Sequence, residues 1–163
     1  RIKGNNFTVF IGRMDRWRNR IKVTVKGDNC LFHLGDDGTV VGGEFHLSED
    51  RSLMLFGDGC MFADEVYVRN SDGHGVFDSQ SGTRLNSPRD LVVGPRVWLA
   101  QRAMLLKAGP IGHDSIIGAG SVVTGSVPSN SIAAGCPAHV MRTGVTWDRD
   151  LAPTISYRRS SAA

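Results

Sequence analysis

The run from Val93 to Val127, VGPRVWLAQRAMLLKAGPIGHDSIIGAGSVVTGSV, carries an aliphatic residue at every sixth position: Val93, Leu99, Leu105, Ile111, Ile117 and Val123. Four residues after each stand Val97, Ala103, Gly109, Ser115, Ser121 and Val127, all small or β-branched. The residue directly after each aliphatic is Gly at 94, 112 and 118, with Ala100, Leu106 and Thr124 as departures. Such a linked period of six describes a coil of short strands turning at corners, each strand sending one aliphatic side chain into a narrow prism. Small residues at i+4 suit the tightest part of the interior, and Gly supplies corner geometry. An amphipathic helix would instead repeat at i, i+3, i+4 and i+7, and Gly112, Gly118 and Gly120 would each cost it about 1 kcal/mol.

The same register stands upstream in Phe56, Phe62 and Val68, followed four residues later by Cys60, Val66 and Asp72. From Val68 to Val93 is 25 residues, one more than a multiple of six, so an excursion interrupts the coil. Its sequence, from Gly73-His74-Gly75 to Ser87-Pro88-Arg89, is rich in turn formers and polar side chains, as expected of a functional loop on a rigid scaffold. Further upstream, Ile21-Lys22-Val23-Thr24-Val25 alternates between Gly/Asp/Asn turns such as Gly27-Asp28-Asn29 and Gly35-Asp36-Asp37-Gly38. The expected organisation is one all-β domain over 1–163. It has irregular opening coils over 1–55, regular hexads over 56–73 and 93–128, an active-site loop over 74–92 and a C-terminal tail over 129–163.

Composition narrows the function classes. With 40% hydrophobic and 21% charged residues in 163, no apolar run of about 18 and no signal-like start, the chain reads as a soluble cytoplasmic protein with no membrane span. Cys30, Cys60 and Cys136 are widely spaced, with neither CxxC nor Cys/His spacing, so reduced thiols and no metal are expected. The net charge of +3 and the Arg13, Arg16, Arg18, Arg20 cluster are compatible with a polyanion. No nucleic-acid-binding motif accompanies the cluster, so no nucleic-acid partner is expected and a solvated edge is the simpler reading.

The chain resembles the hexapeptide-repeat acyltransferases, and within them the sugar and capsular-polysaccharide O-acetyltransferases. The resemblance rests on Ser71-Asp72-Gly73-His74 with Val76-Phe77-Asp78, on Arg84-Leu85-Asn86, on Val97-Trp98-Leu99-Ala100 and on Ile117-Gly118-Ala119-Gly120-Ser121-Val122-Val123. It continues through Ser131–Val140 and Trp147, covering about 55–148. The resemblance implies a left-handed parallel β-helix, against the usual right-handed preference of β crossovers, with a protruding loop around residues 74–90. It also implies a homotrimer with active sites between subunits, and acetyl-CoA as co-substrate.

In that family a histidine takes the proton of an acceptor hydroxyl as it attacks the acetyl thioester. His74 stands at that place, with Asp72 and Asp78 as alternatives for orienting its ring. For the cofactor, the resemblance implies Trp98, Ala100 and Ala119 along the pantetheine, Ser121 and Thr124 further on, and Lys107, His139 and Arg142 near the phosphates. Ala100 and Ala108 replace glycines of the family pattern, and Cys136 and His139 replace the Asn and Lys of its Asn-Pro-Ala-Lys turn. Arg84 and Asn86 are candidates for binding a sugar or glycan acceptor, although Asn86 also reads as a turn cap. Trp98 reads equally as packing between coils. Three alternatives follow: an amine acceptor, a catalytically silent trimeric module, and a carbonic-anhydrase-like metal site, for which the histidine set is missing.

Overall fold

The computed structural model describes residues 2–18 and 20–151. Leu99, Leu105 and Ile111 lie on three different sheets, and the next coil stacks Ile117, Val123 and Val127 on them in parallel register. The result is a left-handed parallel β-helix with no α-helix among the described residues. The first sheet contains β1 (Ile2–Lys3), β4 (Ile21–Lys26), β7 (Gly43–Ser48), β10 (Val66–Arg69), β13 (Met104–Leu106) and β15 (Val122–Val123). The second contains β2 (Thr8–Ile11), β5 (Leu31–Leu34), β8 (Leu53–Phe56) and β11 (Leu91–Val93). The third contains β3 (Met14–Trp17), β6 (Gly38–Val40), β9 (Met61–Phe62), β12 (Trp98–Leu99), β14 (Ile116–Ile117), β16 (Ser131–Gly135) and β17 (Ala138–Thr143).

Every sixth residue from Val93 to Val123 is buried, as are Val97, Ala103, Gly109, Ser115 and Ser121. The hexads slip after Val123. Val127 pairs with Ile111 on the second face, so it fills an inward-facing strand position, not the small i+4 position expected for it. The corner glycines also differ from expectation. A Cβ on Gly94 would come within 2.8 Å of the His113 nitrogen, and one on Gly112 would strike the Ser129 nitrogen. Close approach of the next coil therefore requires glycine there. The corners themselves are turned by positive φ at Glu65, Arg102 and Gly120 on one edge and at Asp37, Gly59, Arg96, Asp114 and Asn130 on another.

The opening segment repeats every 22 residues, pairing Val23 with Phe45 and Phe32 with Met54. Its wider coils hold a cluster of Phe32, Phe45, Phe56 and Phe62 with centroids 5.2–6.1 Å apart. Aspartates at its corners staple coil to coil. Asp50 accepts the Asp28 N–H at 2.8 Å, and Asp58 accepts that of Asp36 at 2.8 Å. At the other end β17 turns back antiparallel on β16. The chain then returns along the third sheet, where Trp147 packs against Trp98 with centroids 6.0 Å apart and donates to the Arg96 carbonyl at 2.6 Å. The part of the expected tail at 152–163 lies outside the described residues. No helix among the described residues is long and apolar enough to cross a membrane.

Candidate active site

The excursion leaves the first sheet after Arg69 and rejoins the second at Leu91. Its outer part is a hairpin in which Phe77 bridges Arg84. Asp78 makes that turn: its amide donates to the Thr83 carbonyl at 2.8 Å, and its carboxylate accepts the amides of Ser81 at 2.7 Å and Gln80 at 3.0 Å. These amides, that of Ser81 foremost, hold the Asp78 carboxyl below the usual range.

Asn86, buried at the root, ties the loop together. Its side-chain amide donates to the His74 carbonyl at 2.7 Å and to Asp72 at 2.9 Å, while its oxygen accepts the Val76 N–H at 2.7 Å. Arg84 grips Glu49 through two bonds of 2.6 and 2.8 Å. Asp72 meets Lys107 at 2.8 Å and Arg69 at 3.1 Å. Lys107 first, then Asn86, hold the Asp72 carboxyl down at about 2, and Arg84 lowers that of Glu49.

Both shifts are depressions, so the loop's anchoring is fully present above the ordinary carboxylate pKa, about 4. It is lost as pH falls through the folded values, about 2 for Asp72. The Asn86 side-chain amide resonances should therefore stay fixed from neutral pH to about 4 and move only below it. A titration centred above pH 5 would contradict this network.

The His74 imidazole is exposed and makes no hydrogen bond among the described residues. It lines a cavity of about 350 Å³ with Lys26, Ser48, Glu49, Asp50 and the glycines beside it. Neither Asp72 nor Asp78 is bonded to its ring, because one carboxylate is taken by Lys107, Asn86 and Arg69 and the other by the hairpin amides. Arg84 likewise spends its guanidinium on Glu49 of the preceding coil, and Asn86 its amide within the loop.

The expected cofactor residues fall at different corners. Trp98, Ala100 and Ala119 sit at or before the corner leading into the first sheet, and Thr124 and Lys107 at the corner leading out of it, by the loop. His139 and Arg142 are exposed on β17. Ser121 is 1% exposed and its hydroxyl accepts the Gly135 amide, so any part it has in holding a cofactor falls to its main chain. Trp98 is half-buried, with its ring against that of Trp147. Sequence reasoning missed Glu49 and Arg69. Aligning Gly27-Asp28-Asn29 with Glu49-Asp50-Arg51 across the 22-residue repeat would have put Glu49 at the corner from which the next coil's loop departs.

The remaining histidines have local partners: His33 stacks on Phe10, His46 meets Glu44, and His113 meets Asp114. Burial pushes the Cys60 thiol up to about 12, while Cys136 is exposed. No group of three metal-ligating side chains occurs among the described residues.

No family model matches the chain. Among curated proteins it is 34% identical over 119 residues to a polysialic acid O-acetyltransferase of Escherichia coli O1:K1 / APEC, covering 72% of this chain and 39% of that relative. The chain thus spans about two fifths of that protein. The crystal structure of the polySia-specific acetyltransferase NeuO superposes with a TM-score of 0.74 at 28% identity, covering 96% of this chain and 77% of the other. That of the polysialic acid O-acetyltransferase OatWY gives 0.81 at 24% identity, covering 99% and 75%, a likeness of fold.

Proposed function

We propose that this chain, which belongs to the hexapeptide-repeat acyltransferases, is an acetyl-CoA-dependent O-acetyltransferase acting on a hydroxyl of a sugar or polysaccharide. The observation that carries the reading is His74: an unbonded imidazole facing a cavity, on a loop in which Asp72, Asp78, Arg84 and Asn86 are engaged in holding its shape. The acceptor oxygen attacks the thioester carbonyl as the imidazole takes its proton. The C–S bond then breaks, and the imidazolium returns the proton to the departing sulfur. Small side chains at Ala100 and Ala119 allow a pantetheine arm to approach the corner closely. The Gln101 N–H, without a partner among the described residues, is a main-chain donor for the oxyanion at that corner.

His74 and the Ala100 corner lie at opposite edges of the first sheet, so one chain does not bring both to one ligand. A neighbouring copy does so if the loop of one chain reaches the corner of the next. Val76, Phe77 and Leu85, 53–64% exposed on the loop, supply the apolar contact for that arrangement. The assembly is a homotrimer, and sedimentation should give three times the chain mass. An acetyl-CoA donor and reduced thiols are consistent with a cytoplasmic reaction. The test is release of free thiol from acetyl-CoA in the presence of a glycan panel. Glycan-dependent release supports the reading, and a trimer that binds acetyl-CoA without releasing thiol with any acceptor contradicts it.

A further inference from the structure

We propose that the cavity on the downstream side of the loop's root is an anion subsite in which Arg69 and Arg89, with Lys107, hold a carboxylate or phosphate group of a ligand. The cavity, about 370 Å³, is lined by Arg69, Asp72, Arg89, Leu106, Lys107 and Thr124. Three cations from three separate segments converge there: Arg69 from β10, Arg89 from the returning limb of the loop and Lys107 from the corner after β13. A single carboxylate, Asp72, answers them. It takes Lys107 at 2.8 Å and one terminal nitrogen of Arg69 at 3.1 Å.

The remaining donors are unmatched. The Arg69 Nε is buried and has no acceptor among the described residues. Arg89 has one contact there, a 3.5 Å approach to the Lys107 carbonyl at the limit of a hydrogen bond. Buried donors in folded proteins are nearly always paired, so the orphan Nε shows that Asp72 leaves Arg69 short of acceptors; Nε itself is closed to solvent, and the donors left for a ligand are on the part-exposed remainder of the Arg69 side chain and on Arg89. The fork of a guanidinium matches a carboxylate or a phosphate through two parallel bonds. The positive excess rejects a metal cation, and a neutral sugar alone would leave the charges without partners.

The anion could come from an acidic glycan or from the phosphates of acetyl-CoA. That choice of sources rests on the function proposed above, whereas anion binding itself does not. Calorimetric titration of the assembled protein with sialic acid oligomers, a neutral galacto-oligosaccharide and acetyl-CoA tests it, comparing wild type with Arg89→Gln and Arg69→Gln. Arg89→Gln is the main variant, since the Arg89 guanidinium bonds to no other side chain among the described residues. Arg69→Gln asks whether the part-exposed Arg69 side chain contributes, provided its thermal melt matches wild type.

Arg89→Gln should weaken the anion-bearing ligand about tenfold, the equivalent of one charge-assisted hydrogen bond, and leave the neutral glycan unchanged. A loss confined to sialic acid oligomers assigns the carboxylate, and one confined to acetyl-CoA assigns a phosphate. Unchanged affinity for both, or a wild-type protein that binds neither, overturns the subsite. Anion binding without thiol release would remove the proposed transfer and keep the subsite; transfer with unchanged affinities would do the reverse.

Discussion

His74→Ala should lower kcat by about 10²–10⁴-fold and leave acetyl-CoA affinity nearly unchanged, because general-base assistance is realised in the transition state. The geometry makes this a clean experiment. The ring of His74 has no hydrogen-bonding partner among the described residues, while its main-chain carbonyl carries the bond from Asn86 that shapes the loop. Removing the imidazole therefore leaves the loop's anchoring in place, and thermal stability should change by no more than about 0.5 kcal/mol. Single-turnover kinetics with saturating acetyl-CoA would separate the chemical step from binding. A variant with wild-type turnover would remove His74 from the mechanism whatever became of the fold.

Asn86→Ala should act on both stability and rate. The buried amide joins three parts of the loop: the His74 carbonyl, the Val76 N–H and the Asp72 carboxylate. Truncation leaves these groups short of partners, at a cost of about 1–3 kcal/mol for a buried group left unsatisfied. It also frees the segment carrying His74. Misplacement of a reacting group by about 1 Å can cost roughly 10²-fold in rate, so kcat should fall by about that factor while the fold survives. Asn86→Asp should not restore activity, since it lacks the two amide donors and sets a second carboxylate against Asp72. A thermal melt and a kcat for both variants check this; wild-type kcat in Asn86→Ala would show that the loop's position does not depend on this side chain.

Much of the scaffold could be read from residue spacing, because each short strand has one inward position and the interior accepts only aliphatic residues there. Leu99, Leu105 and Ile111 identify three faces by their period alone, and the broken count from Val68 to Val93 identifies the loop. The opening coils were harder to read. Their 22-residue repeat lies in turn residues, Gly27-Asp28-Asn29 against Glu49-Asp50-Arg51, and not in a hexad of aliphatics. Glycine also misleads: Gly94 and Gly112 follow the inward residues because a neighbouring coil presses on them, while charged residues such as Arg96 and Arg102 take up the positive φ.

The site was readable only as a location. His74 stands at the break in the hexads, but the partners of Asp72 come from 35 residues downstream at Lys107 and 14 residues downstream at Asn86. No local pattern announces such contacts. Two carboxylates near a histidine in sequence suggest that one or the other orients its ring. In space one is neutralised by cations and the other caps a hairpin. At Ser121 the i+4 spacing was the more telling signal, since its side chain is turned into the prism and bonded to Gly135.

The central claim is transfer of an acetyl group to a glycan hydroxyl. Its most direct test is mass spectrometry of sugars and acidic and neutral glycans after incubation with acetyl-CoA, repeated after mild alkali. The account predicts a glycan heavier by one acetyl group whose added mass disappears with alkali, as an ester does, and no such product with His74→Ala. An added acetyl group that survives alkali would identify an amide and an amine acceptor. No acetylated product from any glycan, with the protein folded and acetyl-CoA bound, would contradict the account.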